Sequence, residues 1–469
     1  MLALLCLIAP SVTPTTSDVF APPSEPRASH VAAREKDDVW GRPLTEWAGL
    51  LGGEVRWGNE FLDRLTAVRA LRAAGRKSER HIDALIAAFD PALAADDTEH
   101  HEYLLYALRI EVAEALVAIG PKALPKLAQA LVSERSRLRL GAAFVATRLH
   151  HNAEDLRTEL EAALGAEQDP LVKVWLLAAL AGASADPTVQ VDALLESLDA
   201  ARARSADEPK TDQAQLGSVH FELQAHLMAL GHLGAAAHSA IPKLEAYLGQ
   251  LGSLDCLLRA TLVACAPAGT PMRAGQMDEL VEVLLAEALY MPSQHAVRVL
   301  GTRVLAPLLD AIEAPERARE ERVAGAWMLN WLGSDGIDTL THLAADPDLE
   351  RAKVGLEVLQ SVAGPEHAAA LAPSLALRHD LDSRKSLSLA FGYRGGAAAL
   401  EVLVEGLGSR DTLVQLNALR CLPVLAVYAP KLDGWKQAEQ KVKGLGRSRD
   451  AQVKLESDVT ARAIAARPR

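Results

Sequence analysis

The chain has 469 residues, of which 49% are hydrophobic but only 4% aromatic, and its formal net charge is −12. This acidic balance argues against a protein whose main task is to grip phosphate backbones, since that affinity comes from Lys and Arg. The apolar residues are mainly Ala and Leu, which are strong helix formers, so we predict an all-α protein.

Residues 1–38 are predicted to be a signal-like segment and a disordered linker. Leu2–Ala9 form an apolar run that is typical of a secretory signal and too short to span a bilayer. No Lys or Arg precedes the run, and Cys6 lacks a convincing lipoprotein box. We expect export to the periplasm or the cell exterior, with a cytoplasmic location if the run is not a signal.

Residues 39–60 are predicted to cap the first repeat. Pro43 stands where a helix first turn tolerates it, and Leu44, Trp47, Leu50 and Leu51 fall on one helical face. Trp40 and Trp47 are interpreted as capping residues rather than as ligand-binding residues.

Residues 61–430 show a repeated pattern of helix, turn and helix. Apolar residues recur at i, i+3, i+4 and i+7, as in half-buried helices, and Gly, Pro or Asp stand in the connections. Gly333, Gly364 and Gly395 follow one another at intervals of 31 residues. We therefore predict a right-handed α-solenoid of about ten antiparallel helix pairs.

Three segments interrupt or end this array. Residues 201–216 are polar and charged and are predicted to be a surface insertion, and residues 266–277 form a Gly/Pro-rich loop. Residues 431–469 are predicted to be capping helices. They contain ten Lys and Arg against five Asp and Glu, so this segment carries +5 and the rest of the chain −17. A solvated cap is the preferred interpretation of the basic end, and nucleic-acid binding the alternative.

The stretch Ala115–Leu131 has an Ala-Leu helix end, a Gly120-Pro121 turn and a second helix containing Pro125. It resembles the HEAT repeat, and more narrowly the HEAT-like repeats of bacterial proteins related to phycobilin lyases. His238–Leu244 is similar to the second half of that unit, and the opening Trp-Gly-Arg-Pro is similar to the start of exported HEAT proteins. The resemblance covers about residues 40 to 465. It implies a protein-binding scaffold, with bilin-lyase-like cofactor handling as an alternative.

Deoxyhypusine hydroxylases are enzymes built of HEAT repeats, and the segment 108–116 resembles them. The resemblance would require a histidine where Ile110 stands, because His-Glu pairs from several repeats bind iron in that family. His101-Glu102 is the only adjacent His-Glu pair here. One pair does not supply an iron ligand set, so we reject this activity.

The remaining candidate residues favour structural roles. His220, His226, His232 and His238 recur every six residues and would scatter around a helix. His150 with Glu154 and His151 with Asp155 have the i, i+4 spacing, but no third metal ligand is identifiable. Trp327 and Trp331 could form an aromatic platform, yet core packing is the preferred interpretation.

The sequence contains no P-loop, no dinucleotide-binding glycine motif and no nucleophile elbow. Cys256 and Cys265 are predicted to share a helix without bridging and to be buried free thiols. We therefore predict a non-catalytic, monomeric protein-binding scaffold with no catalytic, cofactor or metal residues and no transmembrane span. The partner is an unidentified protein. Bilin-lyase-like activity and nucleic-acid binding are the alternatives.

Overall fold

The computed structural model describes residues 38–55, 59–93, 101–207, 218–267, 276–288, 291–377 and 380–468. The predicted signal at Leu2–Ala9, Cys6 and most of the Gly/Pro-rich loop lie outside these residues, as do the side chains of His101 and Glu102. Export therefore stays a prediction.

The described part of the chain consists almost entirely of helices. Four two-residue strands form two small pairs: β1 (Asp38–Val39) is antiparallel to β2 (Arg42–Pro43), and β3 (Glu54–Val55) is parallel to β4 (Ala92–Leu93). The α-helices are, in order, α1 (Leu44–Gly49), α2 (Asn59–Ala74), α3 (Ile82–Ala87), α4 (His101–Ile119), α5 (Leu124–Leu131), α6 (Ser136–Leu149), α7 (Arg157–Ala166), α8 (Pro170–Gly182), α9 (Thr188–Asp207), α10 (Ser218–Leu233), α11 (Ile241–Glu245), α12 (Asp255–Cys265), α13 (Gln276–Ala286), α14 (Met291–Leu300), α15 (Leu305–Glu313), α16 (Arg319–Asn330), α17 (Ser334–Ala344), α18 (Leu349–Val362), α19 (Ala368–Leu371), α20 (Leu381–Gly392), α21 (Gly396–Leu407), α22 (Thr412–Tyr428), α23 (Trp435–Leu445) and α24 (Ala451–Ala465).

Helix pairs stack along the chain in two compact units, which divide within α15, between Leu308 and Leu309. In the N-terminal unit α6 packs on α8, α8 on α10 and α12 on α14. In the C-terminal unit α18 packs on α20, α20 on α22 and α22 on α24. Each even-numbered helix from α2 to α22 is followed by a return helix, so the prediction of an all-α solenoid of antiparallel pairs is confirmed. Its handedness stays a prediction.

None of the helices in the described ranges combines the length and apolar character needed to cross a bilayer.

The predicted glycines lie in the turns between helices. Gly120 follows α4 with φ of 83°, and Gly333 precedes α17 with φ of 70°, a region that side chains with a Cβ rarely adopt. Gly364 and Gly395 stand at the corresponding turns after α18 and before α21. The 31-residue spacing therefore reports the length of one helix pair, as the sequence predicts.

Five of the long helices begin at aspartates. The carboxylate of each capping residue accepts a hydrogen bond from a backbone N–H in the first turn, which satisfies a donor that has no partner within the helix. These residues precede α8, α18, α20, α22 and α24, and they are Asp169, Asp348, Asp380, Asp411 and Asp450.

The segment before α2 is tied to that helix by one buried side chain. The Arg64 guanidinium donates hydrogen bonds of 2.8–2.9 Å to the carbonyls of Leu51, Gly52 and Glu54. Trp47 is buried and its indole Nε1 donates to the Val39 carbonyl at 2.9 Å. The ring of Trp40 meets that of Trp47 edge to face at 6.2 Å. These contacts suit a capping segment, and the predicted boundary at residue 60 stays a prediction.

The predicted insertion does not begin at residue 201. Thr188–Asp207 are one continuous helix, in which Ala201 is fully buried. Arg204 donates to the buried Glu222 carboxylate at 2.7 Å. The charged sequence was misinterpreted because these side chains lie on the outer side of a helix whose other side is packed. Residues 208–217 lie outside the described residues.

The cysteines behave as predicted. Cys256 and Cys265 lie in α12, and both are buried free thiols, as is Cys421 in α22. Burial raises the pKa of each thiol to about 12, so all three are protonated and unreactive near neutral pH.

Hydroxyl groups connect neighbouring repeats through backbone carbonyls. Thr261 in α12 donates to the Leu227 carbonyl in α10 at 3.0 Å, and Thr460 in α24 donates to the Leu419 carbonyl in α22 at 2.9 Å. Pro423 lies inside α22 and has no N–H to donate to Leu419, four residues earlier. The Thr460 hydroxyl therefore supplies the hydrogen bond that the helix itself does not make.

The N-terminal unit also contains a close approach between two helices that are not consecutive in the array. A Cβ placed on Gly231 in α10 would lie 2.4 Å from Cγ1 of Val299 in α14. A contact this short has no room for a methyl group, so the absence of a side chain at Gly231 sets the distance between α10 and α14.

We predict that Thr460→Val weakens the docking of α24. The substitution leaves the buried Leu419 carbonyl without a donor, which costs about 1–3 kcal/mol. Hydrogen–deuterium exchange of the α24 amides should show the corresponding loss of protection. In a Pro423→Ala background the restored N–H serves Leu419, so Thr460→Val should then cost much less. If Thr460→Val destabilised α24 equally in both backgrounds, the loss of the hydrogen bond to the Leu419 carbonyl would not be its cause.

We predict that Gly231→Ala destabilises the N-terminal unit by about 1–3 kcal/mol, because the new methyl group overlaps Val299. Gly165 in α7 is the matched control, since a Cβ there meets no atom within 4 Å. Gly165→Ala should raise stability by about 0.4–1 kcal/mol, through the lower entropy of the unfolded chain. Urea unfolding followed by circular dichroism measures both. Equal effects of the two substitutions would refute the close approach.

Candidate functional site

The sequence predicts no metal site, and the structure shows how its histidines are placed. His150 ends α6 with φ of 49° and begins a 3-10 segment that reaches Leu156, so His150 and Glu154 do not share an α-helix. His226 is buried in α10, and its Nδ1 lies 2.7 Å from the Glu222 carbonyl. Within the described ranges, no three His, Cys, Asp or Glu side chains are grouped as metal ligands would be.

The segment that resembles an iron enzyme is used for ion pairing. Ile110 is buried, and the neighbouring Glu111 accepts from Arg69 at 3.0 Å and lies 3.6 Å from Arg72. Burial alone would raise the pKa of Glu111, but these two guanidiniums outweigh it and lower the pKa. Glu111 is therefore a carboxylate neutralised by arginines, which leaves it unsuited to hold a metal ion.

Side chains of the N-terminal unit bridge its inner side, where helices from distant repeats meet. The ring of Tyr106 in α4 contacts the ring of His295 in α14 edge to face, with centroids 4.1 Å apart. The Tyr106 hydroxyl lies 3.7 Å from the sulfur of Met228 in α10, across 122 residues of sequence. We call Tyr106, Met228, His232 and His295 the inner bridge. The contacts show that α4, α10 and α14 converge.

Cations surround the inner bridge. Arg148 in α6 lies 3.3 Å from Nδ1 of His232 and pairs with Glu114, while Arg298 follows His295 by one helical turn. Burial, reinforced by Arg148, holds the pKa of His232 well below its usual range. Burial, reinforced by Arg298, does the same to the pKa of His295. Both rings are therefore neutral near pH 7.

The inner bridge lacks the arrangement that catalysis requires. His295 is fully buried, and neither ring nitrogen has a hydrogen-bond partner among the described residues. A catalytic base normally has an orienting partner on one side and a substrate proton within reach on the other. Burial also raises the pKa of Tyr106, which keeps the phenol protonated. These groups are placed for packing between helices.

A shallow recess lies at the turns after α6, α8 and α10. Its volume is about 430 Å³, and its polar lining includes His150, Ser184, Asp186 and His238. The Asp186 carboxylate accepts from the Thr188 backbone, and the Ser184 hydroxyl donates to the Asp186 carbonyl. These polar groups are therefore occupied by the turn itself.

An exposed aromatic edge lies in the C-terminal unit. The long helices of this unit run in the same direction, so their C-terminal ends share one edge of the array. Trp331 follows α16, Val362 ends α18, Tyr393 follows α20 and Tyr428 ends α22. The rings of Tyr393 and Tyr428 meet edge to face at 4.8 Å. Val427 is 68% exposed and Tyr428 46% exposed. We call Trp331, Tyr393, Val427 and Tyr428 the aromatic edge.

The aromatic edge was missed in the sequence, although its period is visible there. Trp331, Val362 and Tyr393 each precede a turn glycine by two residues, so they repeat with the same 31-residue interval. Trp327 and Trp331 are only partly buried, which differs from the expected core packing. Met328 and Leu329 between them are fully buried, so the two indoles lie on the less buried side of this helix end.

The buried histidines of the inner bridge should make the stability of the fold depend on pH. His232 and His295 remain neutral in the folded chain but gain protons when unfolded below about pH 6.5, so stability should fall as the pH falls below that value. The slope should reach about 1.4 kcal/mol per pH unit for each histidine. We expect His295→Leu to remove one such contribution. Urea midpoints between about pH 7.5 and about pH 5 measure this slope. A flat wild-type profile would contradict it.

The chain matches no protein-family model and no curated protein. Among solved structures it is similar to Kap121p bound to Nup53p, with 15% identity, a TM-score of 0.29, and 90% of this chain and 45% of that chain covered. Importin beta shares 11% identity at a TM-score of 0.25, with 90% and 62% covered. An engineered protein shares 17% identity at a TM-score of 0.17, with 73% and 96% covered.

The chain thus spans less than two thirds of the length of Kap121p and of importin beta. All three TM-scores lie below 0.3, so the likenesses carry no argument about what this chain does. The helix pairs described above establish the fold class by themselves: the chain is an all-α array of antiparallel helix pairs.

Proposed function

We propose that this chain is a non-catalytic scaffold that binds a protein partner through the aromatic edge of its C-terminal unit. The observation that carries the proposal is the exposure of Val427 and Tyr428, at 68% and 46%, beside the partly buried Tyr393. Exposed apolar patches of this kind mark interaction sites, and Tyr and Trp contribute most of the binding energy at many interfaces.

The aromatic edge suits a protein partner because its rings are already held. Tyr428 packs edge to face on Tyr393, which limits the rotamers that Tyr428 would lose on binding. Trp331 and Tyr393 occupy equivalent positions in the repeat, so the edge offers anchors at regular intervals. An extended surface of this type fits an elongated segment or a helix of a partner better than a small ligand.

The inner side of the N-terminal unit is a weaker candidate for the same role. The inner bridge occupies it with side chains of the chain itself, since Tyr106 contacts both Met228 and His295. Arg148, which is paired with Glu114, and Arg298 also lie beside the inner bridge, so this region is not uniformly acidic.

Non-catalytic function and export are parts of the same proposal. Catalysis would require reactive side chains that are grouped and oriented, whereas His226, His295 and the three described cysteines are buried. The buried, protonated Cys256, Cys265 and Cys421 would tolerate an oxidising compartment without forming disulfides. A bilin-lyase-like activity has no supporting residue here and remains an alternative to be tested.

We predict that Val427→Asp combined with Tyr428→Ser abolishes partner binding. Truncating anchors of an interface costs about 2 kcal/mol or more, so retention of the partner should fall by at least about thirtyfold. Tagged full-length chain should retain a protein at fixed stoichiometry under native conditions, and quantitative mass spectrometry should measure its loss in the variant.

The matched control is Val189→Asp in α9, since Val189 is 72% exposed and far from the aromatic edge in sequence. This control should retain the partner as the wild type does. Equal retention by all three proteins would remove the aromatic edge from the proposal. Recovery of a bound chromophore, or of a small molecule with turnover, would replace the scaffold by an enzyme.

A further inference from the structure

We propose that the last two helices of the chain bind an anionic membrane surface. The region concerned is the basic end, of which residues 431–468 are described. Membrane binding of this kind would be a second activity, on a surface different from the aromatic edge. Three observations carry it: its cations are free, its carboxylates are used by the fold, and two exposed apolar side chains lie among the cations.

The first observation is that most cations of the basic end take no part in holding the structure. Seven of its Lys and Arg side chains are exposed, and none of them forms an ion pair with the described residues. They are Lys431, Lys436, Lys443, Arg447, Arg449, Lys454 and Arg462. By contrast, Lys441 donates to the Val404 carbonyl at 2.7 Å and Arg467 packs on Trp435.

The second observation is that the carboxylates of this segment are engaged in structural contacts. Glu456 accepts from Arg420 of α22 at 2.9 Å, and Glu439 accepts from Arg467 at 2.7 Å. Asp450 caps α24 by accepting from two backbone N–H groups. Only Asp433 and Asp458 remain exposed without such a contact in the described residues. The surface charge is therefore strongly positive, although the chain as a whole is acidic.

The third observation is that cations line one side of α23 while two exposed apolar side chains lie on α24. Lys436, Lys443 and Arg447 are spaced by seven and four residues, which places them along one side of α23 and its end. On α24, Leu455 is 64% exposed and Val459 is 43% exposed, and they share a helical face. Exposed aliphatic side chains within a cationic surface are typical of helices that lie at the interface of a bilayer.

The same features disfavour a nucleic acid. Single strands bind through grooves in which aromatic side chains stack on bases. Trp435 is the only aromatic residue from Lys431 to the C-terminus, and it is buried, with its indole donating to the Ala429 carbonyl. The cations are instead spread over two helices and the turn between them. A broad surface of this kind matches an array of lipid headgroups, and clusters of roughly four to eight Lys and Arg are known to bind anionic lipid.

The test is cosedimentation of the full-length chain with vesicles. The two compositions are phosphatidylcholine alone, and phosphatidylcholine with about 30 mol% phosphatidylglycerol. We expect binding to the anionic vesicles only, and a steep loss of binding as salt rises from about 0.05 M to about 0.5 M. Each neutralised cation should lower the partition coefficient about fivefold, so Lys443→Gln with Arg447→Gln should lower it about 25-fold.

Leu455→Ser should also weaken binding, by an amount that does not depend on salt, because it removes apolar insertion rather than charge. The matched charge control is Arg76→Gln with Arg410→Gln, which removes two exposed cations outside the basic end. That variant should bind as the wild type does. All these side chains are exposed, so unaltered circular dichroism and thermal unfolding should accompany every substitution.

Three outcomes would overturn the proposal: equal binding to both vesicle types, no binding to the anionic vesicles at low salt, or an equal loss with the control pair. A fluorescent DNA duplex and polyglutamate serve as competing anions. Tight binding to either of them without binding to vesicles would assign the basic end to a nucleic acid or an acidic protein. Because partner retention is measured on the Val427 and Tyr428 variant, failure here leaves the proposed function untouched.

Discussion

The close approach of successive long helices is the constraint on which the rest of this structure depends. A helix pair of this length has no core of its own and must bury its aliphatic stripe against the next pair. Small residues set how near the helices come: Val424 of α22 lies against Gly392 of α20, where a Cβ would meet its Cγ1 at 2.5 Å. At that distance a hydroxyl such as that of Thr261 reaches a carbonyl of the neighbouring helix.

The same packing gives the two units different free surfaces. In the N-terminal unit, helices separated by several repeats converge. The side chains of the inner bridge contact one another there and are not available to a partner. In the C-terminal unit, the ends of α20 and α22 leave Tyr428 exposed, and the last helices leave seven cations unpaired. The exposed aromatic and cationic side chains of the C-terminal unit therefore lie at the ends of its long helices and on α23 and α24.

Much of the fold could be predicted from local sequence, because each helix pair is defined by neighbours in the chain. Gly333 and its equivalents mark the turns, and apolar spacing marks the buried faces. The continuation of α9 through Arg204 was missed because its pairing with Glu222 depends on a helix beyond the next loop. The inner bridge could not be predicted at all. Tyr106 and Met228 are 122 residues apart, and their contact depends on the summed rotation of the repeats between them.

The inner bridge also changes how the array would respond to force. A solenoid whose repeats touch only their neighbours lengthens under tension like a spring, since each interface opens a little in turn. The C-terminal unit has this character in its described contacts. In the N-terminal unit, α4 and α14 are in direct contact. They cannot separate until the contact between the Tyr106 and His295 rings is broken. One half of the protein would thus behave as an elastic element and the other as a stiff one, within a single fold.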